Sequence, residues 1–221
     1  MENIDVSDEI KTHPSFRAIF INIWTSPRKT IRWINDNGYD RYVYLLIVLM
    51  SVASVVSNGY TEGLGDRWDL FSVLLFYVGI GALLGWIPTV IYVFLLSWTG
   101  KWIKGKADFR PLLNMTAFAY IPSVCLLANI TLQILFWGND IFKSDWVGYD
   151  EGWGAALFTV LTSLVQIVLS VWTLVIFIIG ISEVQKFSIW KAILNALLPI
   201  FFILFVVFGL LAIGYGLGLL F

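Results

Sequence analysis

The chain has 221 residues, of which 59% are hydrophobic and only 13% are charged, and its formal net charge is −1. Because a soluble domain carries about 25% charged residues, this composition excludes a chain that covers its own surface with groups that water solvates. The sequence therefore predicts an all-α integral membrane protein, since helices satisfy their own backbone hydrogen bonds in lipid.

The N-terminal tail, residues 1–41, is predicted to lie in the cytoplasm and to form two amphipathic helices. Apolar residues of the first helix recur on one face: Phe16, Ile19, Phe20, Ile23 and Trp24. Ser26 and Pro27 then fit the cap and the first position of a second helix, which Gly38 is expected to end.

The second tail helix combines positive charge with an apolar face. Arg28, Lys29 and Arg32 suit anionic lipid headgroups. Ile31 and Ile34 suit the boundary with the acyl chains. We therefore expect an interfacial helix pair with anionic headgroups as partners, and the alternative is a helix packed underneath the membrane bundle.

Five long apolar segments follow, and they predict a transmembrane domain over residues 42–221. Each is close to the ~20 residues that a helix needs to cross the hydrocarbon core. We place the predicted spans at 42–58, 70–98, 112–137, 155–181 and 192–220.

The distribution of Lys and Arg predicts the orientation of these spans. Of the 14 basic residues, only Arg67 and Lys143 fall in the first and third loops, and the others lie in the tail, the second loop or the fourth loop. Basic residues concentrate on the cytoplasmic side of membrane proteins. We therefore expect a cytoplasmic N-terminus and a C-terminus outside.

Three prolines lie inside the predicted spans: Pro88, Pro122 and Pro199. Each removes a backbone hydrogen bond and is expected to kink its helix. Counted from the cytoplasmic ends, they lie about 12–18 Å deep, near the middle of a ~30 Å hydrocarbon core. Kinks at one level predict a cavity there, and ordinary helix bends are the alternative.

Polar side chains within the spans are candidates for the lining of this cavity, because an amide avoids contact with lipid. We select Asn114 and Tyr120 on the third span and Gln166 on the fourth. Glu183, with Lys186 one turn further on, is predicted to mark the cytoplasmic exit.

Residues that carry chemistry are scarce. Cys125 is the only cysteine and His13 the only histidine, so no metal-ligand set is evident. Phosphate-binding and hydrolase motifs are also missing from the sequence. We therefore expect no enzymatic activity, no cofactor and no metal.

The segment TGKWIKGKADFRPLLNMTAFAYIPSV at 99–124 resembles the Yip-domain family, named for proteins that interact with Ypt/Rab GTPases. The resemblance rests on a basic, glycine-containing link before an aromatic-proline helix: Gly105, Lys106, Phe109, Arg110, Tyr120 and Pro122. A second region at 171–200 fits through Trp172, Gly180, Phe187, Ser188 and Lys191. The prokaryotic branch of the family is the most similar.

The resemblance implies five spans, a cytoplasmic N-terminus and a place in the prokaryotic plasma (inner) membrane. It implies a membrane-organising or trafficking-type scaffold, because eukaryotic members shape membranes and act in vesicle traffic. A small-solute or ion permease is the alternative. The expected partners are the bilayer and a second copy of the chain or another protein, but no nucleic acid.

Overall fold

The computed structural model describes residues 15–146, 148 and 152–216, so that His13 and the last residues of the fifth predicted span lie outside it. All regular structure in this part of the chain is helical. Its helices are α1 (Phe16–Thr25), α2 (Pro27–Asp36), α3 (Val43–Asn58), α4 (Leu70–Leu83), α5 (Ile87–Trp102), α6 (Phe109–Ala119), α7 (Ile121–Trp137), α8 (Trp153–Gln185) and α9 (Ile189–Gly216). Short 3-10 turns lie at Gly59–Thr61, Leu64–Asp66 and Asp140–Phe142.

Five helical segments are long and apolar enough to cross a membrane, which confirms the predicted fold class. They are Val43–Thr61, Leu70–Trp102, Phe109–Trp137, Trp153–Gln185 and Ile189–Ile213. The second segment joins α4 to α5 and the third joins α6 to α7. Residues 203–213 in the C-terminal half of α9 are all exposed, as expected of a helix that faces lipid.

The two tail helices begin where local chemistry favours a helix start. The hydroxyl of Ser15 accepts a hydrogen bond from the backbone N–H of Ala18 at the start of α1. Pro27 occupies the first turn of α2, where a missing N–H has no consequence. The chain leaves α2 through Gly38 at φ +58°, in the left-handed region that glycine tolerates.

The apolar face of α2 is buried against the protein. Ile31 and Ile34 are almost fully buried, and α2 packs against α6 and α8. The expectation that these two isoleucines reach the acyl chains is therefore wrong. The bundle offers them a protein surface, so α2 is the helix packed underneath the bundle that the sequence left as an alternative.

Two spans are interrupted near their middle, while a third proline leaves its helix continuous. Pro88 is the second residue of α5 and Pro122 the second residue of α7, so each stands in the first turn of a new helix. Pro199 lies inside α9, which runs on past it. The hydroxyl of Tyr92 donates to the carbonyl of Ala196 at 2.8 Å, next to the carbonyl that Pro199 leaves without its helical donor.

The breaks lie between two separate hydrophobic cores. One core joins α1 and α2 to α6 and to the ends of α5 and α8, and includes the fully buried Phe118. The other joins the end of α3 to α4 and α7, around Tyr77 and Phe142. We call the end of the bundle with the tail helices the basic end, and the opposite end the acidic end.

The acidic end is closed by hydrogen bonds between two loops. The side-chain amide of Asn139 donates to the carbonyls of Gly65 at 3.0 Å and Trp68 at 2.9 Å. The backbone N–H of Ser144 donates to the carboxylate of Asp66 at 3.2 Å. These bonds hold the first and third loops together. Hydrogen bonding from Ser144 lowers the pKa of Asp66 below its ordinary value.

Candidate functional site

A buried carboxylate links the tail helices to the membrane bundle. The helix α8 has 33 residues and is about 50 Å long, which exceeds a ~30 Å hydrocarbon core. Glu183 therefore lies near one end of a helix that reaches beyond the core. Its side chain is only 5% exposed.

Three basic side chains surround this carboxylate. Arg32 donates to it twice, from Nε at 2.8 Å and from Nη2 at 3.1 Å. Lys186 donates from Nζ at 3.1 Å, and Nη1 of Arg28 lies 3.8 Å away. We call Glu183 and these three residues the ion cluster.

The ion cluster positions α2 on α8. A paired fork of hydrogen bonds fixes both the distance and the angle between a guanidinium and a carboxylate. A buried carboxylate without partners is costly, so Glu183 favours the docked position of α2. The same hydrogen bond raises the pKa of the Arg32 guanidinium above its ordinary value.

A second polar network lies beside the ion cluster. Gln185 is 1% exposed, and its Oε1 accepts a hydrogen bond from the backbone N–H of Ala107 at 2.9 Å. Its Nε2 donates to Oδ1 of the fully buried Asn195 at 3.3 Å. Asn195 in turn donates to the carbonyl of Leu96 at 3.1 Å. The network ties the loop after α5 to α8 and α9.

A cavity of about 570 Å³ lies between the two cores, at the level of the breaks in the second and third spans. Its walls come from α3, the start of α5, α7 and α8. The polar side chains of its lining include Ser51, Ser54, Thr89, Tyr120, Ser123 and Gln166. Toward the basic end, Tyr120 contacts Phe177, and Phe177 contacts Tyr92.

The residues selected from the sequence fall into two places. Tyr120 and Gln166 both line the cavity, as does Pro88. Asn114 lines smaller cavities of about 230 and 210 Å³ beside Arg110 at the basic end. Glu183 belongs to the ion cluster. The structure thus brings two of the four candidate side chains together.

Several residues of the ion cluster, the polar network and the cavity were not predicted from the sequence. Arg32 lies 151 positions from Glu183, and nothing local indicates that they pair. Gln185 is one polar residue among several at the end of a span. The serines of α3 do carry a signal, because Ser51 and Ser54 are three residues apart and share a helix face.

Comparison with known proteins places these features in one family. The family model of the Yip1 domain matches residues 21–211, which include the ion cluster, the polar network and the cavity. This chain belongs to the Yip1 domain family. Searches of curated proteins and of solved structures each returned no match.

Two glycines of this Yip1 domain that carried the resemblance have packing roles. Gly180 faces Met115 and Ile31, and an added Cβ would lie 2.8 Å from Cγ of Met115. Gly105 lies over Gln185, and an added Cβ would lie 2.8 Å from its Cδ. Both glycines permit close approach next to the groups that join α2, α5 and α8.

Proposed function

We propose that this chain is a non-enzymatic membrane scaffold that holds anionic lipid headgroups at its basic end. The Yip1 family is not known as a family of enzymes. The observation that supports the proposal is the docking of α2 by Glu183, which turns the apolar face of α2 inward and leaves its charges outside. Of the proposed tail domain 1–41, the helices α1 and α2 then form a lipid-binding platform on the transmembrane bundle.

The basic end exposes far more positive than negative charge. Its exposed basic residues are Arg17, Arg28, Lys29, Arg32, Arg41, Lys101, Lys104, Lys106, Arg110, Lys186 and Lys191. Each Lys or Arg near an anionic membrane surface contributes about 1 kcal/mol of attraction. By the positive-inside rule we place this end in the cytoplasm and the C-terminus outside, and we assign the protein to the prokaryotic plasma membrane.

Lipid retention tests this proposal directly. The full chain is purified from nanodiscs containing phosphatidylglycerol and phosphatidylcholine, and the lipids that remain bound are measured by mass spectrometry. We expect phosphatidylglycerol to be enriched around the wild type and the enrichment to fall as salt rises. The double variant Lys29→Gln, Lys104→Gln should retain less phosphatidylglycerol, whereas Arg67→Gln at the acidic end serves as the matched control.

A second variant tests the role of docking. Glu183→Gln removes a negative charge from the basic end, so simple attraction predicts stronger retention of phosphatidylglycerol. If the docked platform binds the headgroups, retention should fall instead, because α2 loses its anchor. Equal retention by wild type, the double variant and Arg67→Gln would contradict the proposal.

The cavity favours one other function, a small-solute permease. A solute crossing from the cavity to the basic end would have to pass the contact of Tyr92, Phe177 and Tyr120 and the buried core around Phe118. A permease therefore requires that core to separate during transport. The ion cluster and the polar network of Gln185 both hold the helices at the basic end together. We therefore favour the scaffold function over the permease function.

A further inference from the structure

The cavity between the two cores has a lining without charge. Among the described residues none of its walls carries Asp, Glu, Lys, Arg or His. An ion or a phosphate in this position would have no counter-charge at the middle of a membrane, where an isolated charge is expensive. The lining therefore disfavours charged ligands and favours uncharged groups that can form hydrogen bonds.

Several polar groups of the lining have no partner within the described part of the protein. Ser51 donates to the carbonyl of Ile47, and Ser123 shares a hydrogen bond with Thr173. In contrast, the amide of Gln166 and the hydroxyls of Ser54 and Tyr120 form no hydrogen bond to any described residue. Ser54 is exposed and Gln166 and Tyr120 are half-buried in the protein, but at the level of the breaks their surroundings in a membrane are lipid, where a polar group without a partner is costly. The cavity is therefore suited to a molecule with hydroxyl or amide groups.

Residues that directly precede or follow the lining in the chain are apolar and exposed on the surface. Leu83 is 73% exposed and Leu84 56% exposed at the break between α4 and α5. Ile167, next to Gln166, is 58% exposed. Ser54 and Pro88 in the cavity wall are themselves exposed, so the cavity opens sideways at this break. A polar interior with an apolar opening fits an amphiphile better than a free solute.

A polar stripe on α3 leads to the cavity from the acidic end. Ser51, Ser54 and Asn58 line it at successive turns of this helix, and Asn58 is the last residue of α3. Gln166 lies about 20 Å along α8 from its first residue, near the inner end of this stripe. A headgroup can therefore enter from the membrane interface and stay hydrogen-bonded on its way.

We infer that this cavity binds the uncharged, hydroxyl-bearing headgroup of a neutral glycerolipid of the diacylglycerol class. The hydroxyl and ester oxygens pair with Gln166, Ser54 and Tyr120. The acyl chains leave through the opening beside Leu83 and Leu84 and stay in the bilayer. This site is separate from the basic end, so it does not depend on the proposed binding of anionic headgroups.

Photo-crosslinking of the full chain in nanodiscs tests the inference. The probe is a diacylglycerol with a diazirine in one acyl chain, and labelled peptides are identified by mass spectrometry. We expect label on α3, α8 and the α4–α5 break, and displacement by unlabelled diacylglycerol. Gln166→Leu should weaken labelling about tenfold, the effect of losing one hydrogen bond in a dry site. The matched control is Gln133→Leu, which removes an amide of the third span that does not line the cavity.

The competing explanations give different results. Displacement by free glycerol would show a solute site and overturn the inference, and so would equal displacement by phosphatidylglycerol, whose headgroup is charged. Unchanged labelling of Gln166→Leu would also overturn it. If Gln166→Leu does not fold, Ser54→Ala at an exposed position of α3 is tested instead. Unchanged labelling of Ser54→Ala would then overturn the inference.

Discussion

The hydrogen bonds of Gln185 provide the sharpest test of how the basic end is held together. Replacing Gln185 with Leu keeps a side chain of similar size but leaves the N–H of Ala107 without an acceptor. A buried donor without a partner costs about 1–3 kcal/mol. The longer bond to Asn195 adds about 0.6 kcal/mol, the average for hydrogen bonds between membrane helices. We therefore expect Gln185→Leu to lower the free energy of unfolding by about 1.6–3.6 kcal/mol.

Gln133 offers a control with the same substitution at similar burial. Gln185 is 1% exposed and Gln133 is 7% exposed, but Nε2 of Gln133 has no hydrogen-bond partner among the residues that the structure describes. Gln133→Leu removes a buried amide nitrogen that has no partner in the described part of the chain, so it should leave the free energy of unfolding unchanged or raise it. Both variants are measured by reversible SDS titration in mixed micelles. Equal destabilisation by the two substitutions would refute the argument, because burial alone would then explain the effect.

Two further predictions concern a glycine and a loop. Gly105→Ala should destabilise the protein in the same SDS titration, because the added Cβ would clash with the side chain of Gln185. The control is Gly79→Ala, where no atom lies within 4 Å of the added Cβ, and it should stabilise α4 by up to about 1 kcal/mol. At the acidic end, the lowered pKa of Asp66 means that its bond to Ser144 is intact above the ordinary pKa of 3.8 and is lost as the pH falls below that value. The protection of the Ser144 N–H, which is its hydrogen-exchange rate compared with the intrinsic rate at the same pH, should decrease in that range. Asp66→Asn should remove this decrease, and a decrease of the same size in the variant would contradict the prediction.

The spans were predictable from sequence because hydropathy and length dominate the placement of a helix in lipid. The predicted span 112–137 and the observed segment Phe109–Trp137 differ by three residues at one end. Hydropathy is an average over many residues, so single positions hardly change it. The same averaging conceals the break between Leu83 and Ile87, where the chain stays apolar while the helix stops.

The partners of individual side chains were less predictable. The pairing of Glu183 with Lys186 follows from their spacing on one helix. Its stronger bond to Arg32 depends on how α2 meets α8, and that tertiary contact has no local pattern. The burial of Ile31 and Ile34 shows the same difficulty, because an apolar helix face fits a lipid surface and a protein surface equally well. Only the packing of α2 against α6 and α8 decides between them.

The breaks in two spans at one level have a mechanical consequence. The halves of each broken span belong to different cores, and α8 passes this level without interruption. A bilayer that becomes thinner or thicker changes the hydrophobic length that the spans must match. We expect the half-spans to absorb this change by hinge motion at residues 83–87 and 119–121, while each core stays intact. We therefore expect the fold to adapt to membranes of different thickness by bending at the level of these two breaks.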